Sequence, residues 1–234
     1  MARWTLRDIP DLAGRMAVVT GGNAGLGFRS VLELARKRAR VVIACRSTEK
    51  GNAAASRIRS ELPGAQLETV ELDLTNPAGI KRFADRVTSR TDRLDILLNN
   101  AGVVSLESLQ RTAAGHEMHM ATNHYGHFLV TGRLFPLLAE TDGARVVTLT
   151  SGGYRFGTID FEDLDWRKRP YHPVRSYSDS KLANLLFTRE LQRRLDIAGA
   201  TALSLAAHPG LTRTERQQSS GMGGMLSRLA QQDC

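Results

Sequence analysis

Residues Met16–Thr20 (MAVVT) form a short, unbroken apolar run, and four of the next seven residues are glycine, in Thr20-Gly21-Gly22-Asn23-Ala24-Gly25-Leu26-Gly27. An apolar run without alternation fits a strand covered on both faces. Over Leu26–Arg38 the pattern turns helical, with apolar residues at Leu26, Val31, Leu34 and Ala35. The chain must therefore pass from a buried strand into a helix through a turn almost free of Cβ atoms. Such a turn permits positive φ and lets backbone N–H groups approach an anion at the helix N-terminus.

The same alternation continues along the chain. Strands are expected at Arg40–Cys45, Leu67–Leu72, Leu94–Asn99, Arg145–Leu149 and Ala202–Ala207. Between them, helices are expected at Glu49–Leu62, Pro77–Thr91 (with Asn76 as N-cap), His116–Leu138 and Val174–Asp196. Apolar strands each followed by a helix predict one doubly wound α/β domain, a mostly parallel sheet of six strands with helices on both faces. At 234 residues, 41% hydrophobic and 24% charged, the chain has the composition of one globular domain. This domain is expected over residues 1–216. A short tail at 217–234 is expected to hold one flexible turn and one helix near Met225–Gln232, with a seventh strand missing.

Lysine and arginine number 32 against 24 aspartate and glutamate, a net charge of +8. The positive charge is scattered, its densest clusters being Arg36-Lys37-Arg38-Ala39-Arg40 and Arg167-Lys168-Arg169, and no nucleic-acid motif surrounds them. The two cysteines, Cys45 and Cys234, suggest no disulfide framework. The N-terminus lacks an apolar signal region, and the longest uncharged stretch, Ile197–Thr212, is short for a membrane span. A cytoplasmic protein without a membrane span or nucleic-acid partner is expected.

Chemistry concentrates at the predicted carboxyl ends of the strands. NAD-binding Rossmann units carry an acidic residue after the second strand for the ribose 2′-hydroxyl. Here the second strand ends Ala44-Cys45-Arg46. A guanidinium pairs with a 2′-phosphate where a carboxylate repels it, so Arg46 predicts NADP(H) over NAD(H). Asp73 and Leu74 end the third strand, where an adenine would lie, and Asn99-Asn100-Ala101-Gly102 ends the fourth. Tyr177 and Lys181 stand four apart on one helix face. An ammonium there would lower the phenol pKa toward working pH, as a general acid for carbonyl reduction requires. Ser151, ending the fifth strand, can offer a hydroxyl to the same oxygen. Asn123 falls inside the long helix, where a polar residue is ordinarily solvated. His116, His119, His124 and His127 lack the cysteine or carboxylate partners of a metal site, and none is predicted. Phe156, Trp166 and Tyr171 either line an apolar pocket or pack their own loop.

Together these elements resemble the short-chain dehydrogenase/reductase family. The similarity is carried by Thr20–Gly27, Asp73, Asn99–Gly102, Asn123-His-Tyr-Gly126, Ser151, Tyr177-x-x-x-Lys181 and Pro209-Gly210 with Thr214. Within the family, Asn123–Phe128, Ser180–Asn184, His208–Gly210 and the long Ser151-to-Tyr177 interval are similar to retinol-dehydrogenase-like and WW-domain-oxidoreductase-like members, in a soluble bacterial form. The resemblance implies a tetrad of Asn123, Ser151, Tyr177 and Lys181. Tyr177 would be the acid/base, Ser151 would polarise the carbonyl, and Lys181 would lower the tyrosine pKa and hold the nicotinamide ribose. Asn123 would bend its helix and position a water. Pro209, Gly210, Thr212 and Thr214 would meet the nicotinamide carboxamide and diphosphate. An NADP(H)-dependent oxidoreductase acting on a small carbonyl or alcohol is expected, as monomer or homodimer. The short C-terminus keeps open the alternative of an NADP(H)-binding protein with impaired catalysis. Arg38 stands where relatives place glycine at a left-handed helix end, which implies strain or a different turn.

Overall fold

The structure, a computed structural model, describes residues 5–104 and 106–210. Six strands form one parallel sheet: β1 (Met16–Thr20), β2 (Arg40–Cys45), β3 (Leu67–Glu71), β4 (Ile96–Asn99), β5 (Arg145–Leu149) and β6 (Leu203–Ala207). Their spatial order is β3-β2-β1-β4-β5-β6. The helices are α1 (Gly25–Arg36), α2 (Thr48–Glu61), α3 (Pro77–Thr88), α4 (Gly126–Glu140) and α5 (Pro173–Ile197). Short 3-10 turns lie at Leu6–Asp8 and Gly152–Phe156, and Met120–Tyr125 is a π-helix.

The continuous apolar runs feed two cores, as a sheet covered on both faces requires. From β1, Val18 joins Val42, Leu97 and Val146 against Phe83, Leu134, Leu138 and Leu195 of α3, α4 and α5. Its neighbours Ala17 and Val19 face Val31 and Leu32 of α1 and Ile58 of α2 on the other side. Asn76 caps α3 through Oδ1, which accepts the Gly79 N–H at 3.0 Å, and Pro77 occupies the first turn. Among the described residues no helix is long and apolar enough to cross a membrane.

Most helix boundaries and three strand ends shift by one to three residues from the sequence reading. The fourth strand starts at Ile96 rather than Leu94, because Asp95 turns its carboxylate to the Met16 N–H and to Arg15 and Arg93. The third helix ends at Thr88. The helix expected over His116–Leu138 begins later and ends at Glu140, and its first part, Met120–Tyr125, is π rather than α. Arg38 does adopt the left-handed conformation, with φ of 70°. Its N–H bonds to the Ala35 carbonyl, and its guanidinium pairs with Asp11, which tethers the strained residue. Thr212, Thr214, the helix expected near Met225–Gln232 and the tail at 217–234 lie outside the described residues.

Candidate active site

Strand order reverses beside β1, which is flanked by β2 and β4. A cavity of about 400 Å³ opens there, beyond the carboxyl ends of the first four strands, where α/β sheets hold nucleotides. Gly21, Asn23, Arg46, Asp73, Leu74, Ala101 and Gly102 all line it. Gly21 has φ of 65°, so the turn out of β1 requires a residue without Cβ. Gly27 permits the closest approach: a Cβ there would run into the Gly21 carbonyl and the Asn100 amide. The N-cap of α1, Ala24, offers no side-chain acceptor to the first-turn N–H groups of Gly25, Leu26 and Gly27, which suits an anion there. Asp73 closes its turn by accepting from Thr75 N–H and Oγ1 at 2.9 and 2.8 Å.

Asn100 does not line the cavity. Its Nδ2 donates to the Thr20 carbonyl at 2.7 Å, while Thr20 Oγ1 accepts the N–H of Asn100 and of Ala101, both at 2.9 Å. It ties β4 to the glycine turn. The same Thr20 hydroxyl meets His127 Nε2 at 2.9 Å, and His127 Nδ1 bonds the Asn123 carbonyl at 2.9 Å. Because a carbonyl only accepts, Nδ1 carries the proton and Nε2 accepts from Thr20. Full burial keeps this imidazole neutral and pushes its pKa down to about 4.

Asn123 is fully buried, contrary to the solvated position expected from its place in a helix. Its Oδ1 accepts the Val103 N–H at 2.8 Å, and its Nδ2 donates to the Val103 carbonyl at 3.1 Å and to Ser180 Oγ at 2.9 Å. It lies within the π-helix, and Gly126 follows, where any Cβ would strike the Leu74 carbonyl. Long-range contacts thus shape this segment, and its local irregularity is of the kind the family resemblance implies.

Ser151 caps the 3-10 turn after β5, Oγ accepting the Gly153 N–H at 3.3 Å. Tyr177 and Lys181 lie one turn apart on α5, and the Lys181 Nζ stands 5.7 Å from the Tyr177 ring centre. That Nζ donates to the Leu149 carbonyl at 3.1 Å. Thr150, beside Ser151, donates Oγ1 to the Lys181 carbonyl at 2.9 Å, so its hydroxyl fastens α5 to the end of β5. Gly102 joins the two ends of the site: it lines the cavity, and a Cβ there would stand 3.0 Å from Asn123 Oδ1 and 3.8 Å from Lys181 Nζ.

The proton energetics differ from the sequence expectation. Burial pushes the Tyr177 phenol up, and a hydrogen bond with Ser151 opposes it. The ammonium does not draw the phenol below its ordinary range in this arrangement. Instead burial lowers Lys181 itself, to about 8.

The segment between Ser151 and Tyr177 is a packed wall. Asp163 accepts the N–H groups of Arg167, Lys168 and Arg169. Arg169 stacks 3.7 Å over the Trp166 ring centre and bonds Asp179 of α5 at 2.9 Å. Arg111 donates to the carbonyls of Asp165 and Trp166. Trp166 is buried and packs the loop, whereas Phe156 is 71% exposed. Tyr171 donates to the Leu106 carbonyl at 3.2 Å. Among the described residues no cluster of histidines, cysteines and carboxylates could hold a metal. Pro209 and Gly210 end the described chain after β6, Gly210 donating its N–H to His208 Nδ1 at 3.3 Å.

The sequence reading missed Thr20 and His127 as links between the two ends of the site. A histidine four residues after Asn123 was the available signal.

Comparison with known proteins agrees with this arrangement. The profile of the short chain dehydrogenase family matches residues 15–162. Mouse retinol dehydrogenase 12 is 44% identical over 94% of this chain, which spans 68% of that protein. Human retinol dehydrogenase 13 is 41% identical over 91% of the chain, which spans 63% of its length. Among solved structures, an uncharacterized protein of Mycobacterium paratuberculosis is 45% identical with a TM-score of 0.80, covering 89% of this chain and 73% of that one. The NADP active-site complex of RhlG from Pseudomonas aeruginosa is 29% identical with a TM-score of 0.71, covering 89% and 77%. With its glycine turn, strand order and matched profile, the chain belongs to the short-chain dehydrogenase/reductase family, in the retinol-dehydrogenase-like subgroup.

Proposed function

We propose that this chain is an NADP(H)-dependent oxidoreductase that interconverts a carbonyl and an alcohol, with Tyr177 as general acid and base. The observation that carries the reading is convergence. Tyr177 meets both Ser151 and Lys181, and the Lys181 Nζ reaches toward Gly102, which also lines the nucleotide-sized cavity. The cavity fits the cofactor: its turn has no room for a Cβ at Gly27, and exposed Arg46 lines it without a carboxylate at that strand end. Gly21, Asn23 and the first turn of α1 would hold the diphosphate, Asp73 and Leu74 the adenine, and Arg46 the 2′-phosphate. Lys181, Pro209 and Gly210 would hold the nicotinamide end, with Thr212 and Thr214. NADPH, when bound, supplies hydride.

The chain's own residues supply orientation and a proton. Ser151 Oγ and Tyr177 Oη present hydroxyls to one carbonyl oxygen, and Tyr177 donates the proton that oxygen needs as it becomes an alcohol. Its elevated pKa keeps it protonated for that donation. Asn123, fixed on Val103 and Ser180, holds the helix that faces Lys181. The retinol dehydrogenase relatives point to an apolar carbonyl or alcohol as substrate class. The test is NADPH oxidation followed at 340 nm with a panel of aldehydes, ketones and quinones. Turnover with saturable kinetics is expected. Tight NADPH binding with no turnover on any compound would instead favour a cofactor-binding protein with impaired catalysis.

A further inference from the structure

Glu117, His119 and Ser176 are each 0% exposed and lie directly behind Tyr177, outside the tetrad. Glu117 accepts the backbone N–H of His119 at 2.9 Å and of Met120 at 2.7 Å, at the entry to the π-helix. The His119 Nδ1 stands 2.7 Å from Ser176 Oγ and 3.3 Å from Glu117 Oε1, with Tyr171 Oη at 3.4 Å. Carboxylate oxygens only accept, so Nδ1 carries the proton. The His119 ring meets the Tyr177 ring edge to face, centroids 5.8 Å apart at 75°.

Packing alone does not account for an imidazole here. Among the described residues its Nε2 has no hydrogen-bond partner, and an unmet buried polar atom is penalised, so an apolar side chain would fill the slot more favourably. The position is explained by Nδ1. The segment that carries His119 also carries Asn123, which reaches Ser180 of α5. The helix is therefore gripped at Ser176 and at Ser180, on both sides of Tyr177.

We propose that His119 is a positioning residue for Tyr177: anchored through Nδ1 to Ser176 and Glu117, its ring holds the tyrosine ring at the angle from which the phenol hydrogen-bonds Ser151. The inference rests on Tyr177 being the acid/base. Small errors in the placement of a reacting group cost large factors in rate without weakening binding. The role therefore belongs to kcat, not to KM.

The test uses the full chain, NADPH and the panel compound that the wild type reduces fastest. His119→Phe keeps the ring and removes the nitrogen. It is expected to lower kcat by ~10- to 100-fold, with KM and NADPH affinity within about twofold of wild type. His119→Asn returns an N–H near the place of Nδ1 but not the ring, and is expected to be at least as slow as the Phe variant, because the anchor and the ring are both needed. Wild-type kcat in His119→Phe overturns the proposal, and so does wild-type kcat in His119→Asn. If His119→Phe does not fold, Ser176→Ala removes the same hydrogen bond from the other side. A drop in kcat alone supports the role and an unchanged kcat overturns it. Tyr177→Phe separates the two levels: activity surviving in that variant, or no turnover by the wild type, sinks the acid/base assignment and this inference with it. A dead Tyr177→Phe beside a wild-type-like His119→Phe sinks only the positioning role.

Discussion

The proposed nucleotide end and the proposed catalytic end of this site are built differently. At the nucleotide end the working parts are backbone: the glycine turn, the first N–H groups of α1 and the carboxyl ends of β1 to β4. At the catalytic end they are side chains bonded across long stretches of sequence, such as Asn123 to Ser180 and His119 to Ser176, each 57 residues apart. The first arrangement needs small residues at a few places and parallel register. The second needs particular functional groups held at particular angles. Thr20 and His127 connect them, one hydroxyl at the start of the glycine turn serving both β4 and α4.

If the two ends are separable, Tyr177→Phe should strike one and spare the other. Turnover should fall by ~10²- to 10⁴-fold, the range for a lost general acid, while NADPH affinity measured by fluorescence titration stays within about twofold. An equal loss of binding would break the comparison. The link between the ends predicts a pH effect. His127 has its folded pKa, about 4, below the ordinary 6.5, so between those values the unfolded chain binds more protons. Its contribution is fully present above pH 6.5 and is lost as pH falls toward 4, amounting to about 3 kcal/mol. Urea unfolding at a series of pH values should show this slope, and His127→Gln should flatten it. At the nucleotide end, Arg46→Ala should weaken NADPH by ~10- to 100-fold, the worth of one charge-assisted hydrogen bond, and leave NADH affinity unchanged. Equal losses for both cofactors would remove Arg46 from the 2′-phosphate. The smallest effect lies away from both ends. Arg38→Gly should relieve the left-handed strain and change stability by no more than about 1 kcal/mol, because the pair with Asp11 is lost at the same time. Thermal unfolding would show the sign.

Legibility in the sequence followed the same division. Met16–Thr20, Arg40–Cys45 and Arg145–Leu149 are read to the residue, because a strand buried on both faces must be continuously apolar. Asn76-Pro77 marks the start of α3 because capping is local chemistry. The burial of Asn123 was not legible from its place in a helix, since its partners, Val103 and Ser180, lie far away in sequence. Trp166 left two readings open until Asp163, Arg169 and Arg111 were seen to fasten its loop. The expectation that Lys181 lowers the Tyr177 pKa came from their spacing and from the family resemblance. Burial, which spacing does not reveal, sets the opposite direction.

The sequence by itself determined the parallel sheet, the glycine turn and the shared helix face of Tyr177 and Lys181, because apolar periodicity, missing Cβ atoms and helical pitch are properties of neighbouring residues. Only the tertiary structure decided which polar groups lose their water. Glu117, His119, Asn123 and His127 are buried together by packing between the π-helix, α5 and the glycine turn, and in that dry interior each must find its hydrogen bonds in the others or leave them unmade.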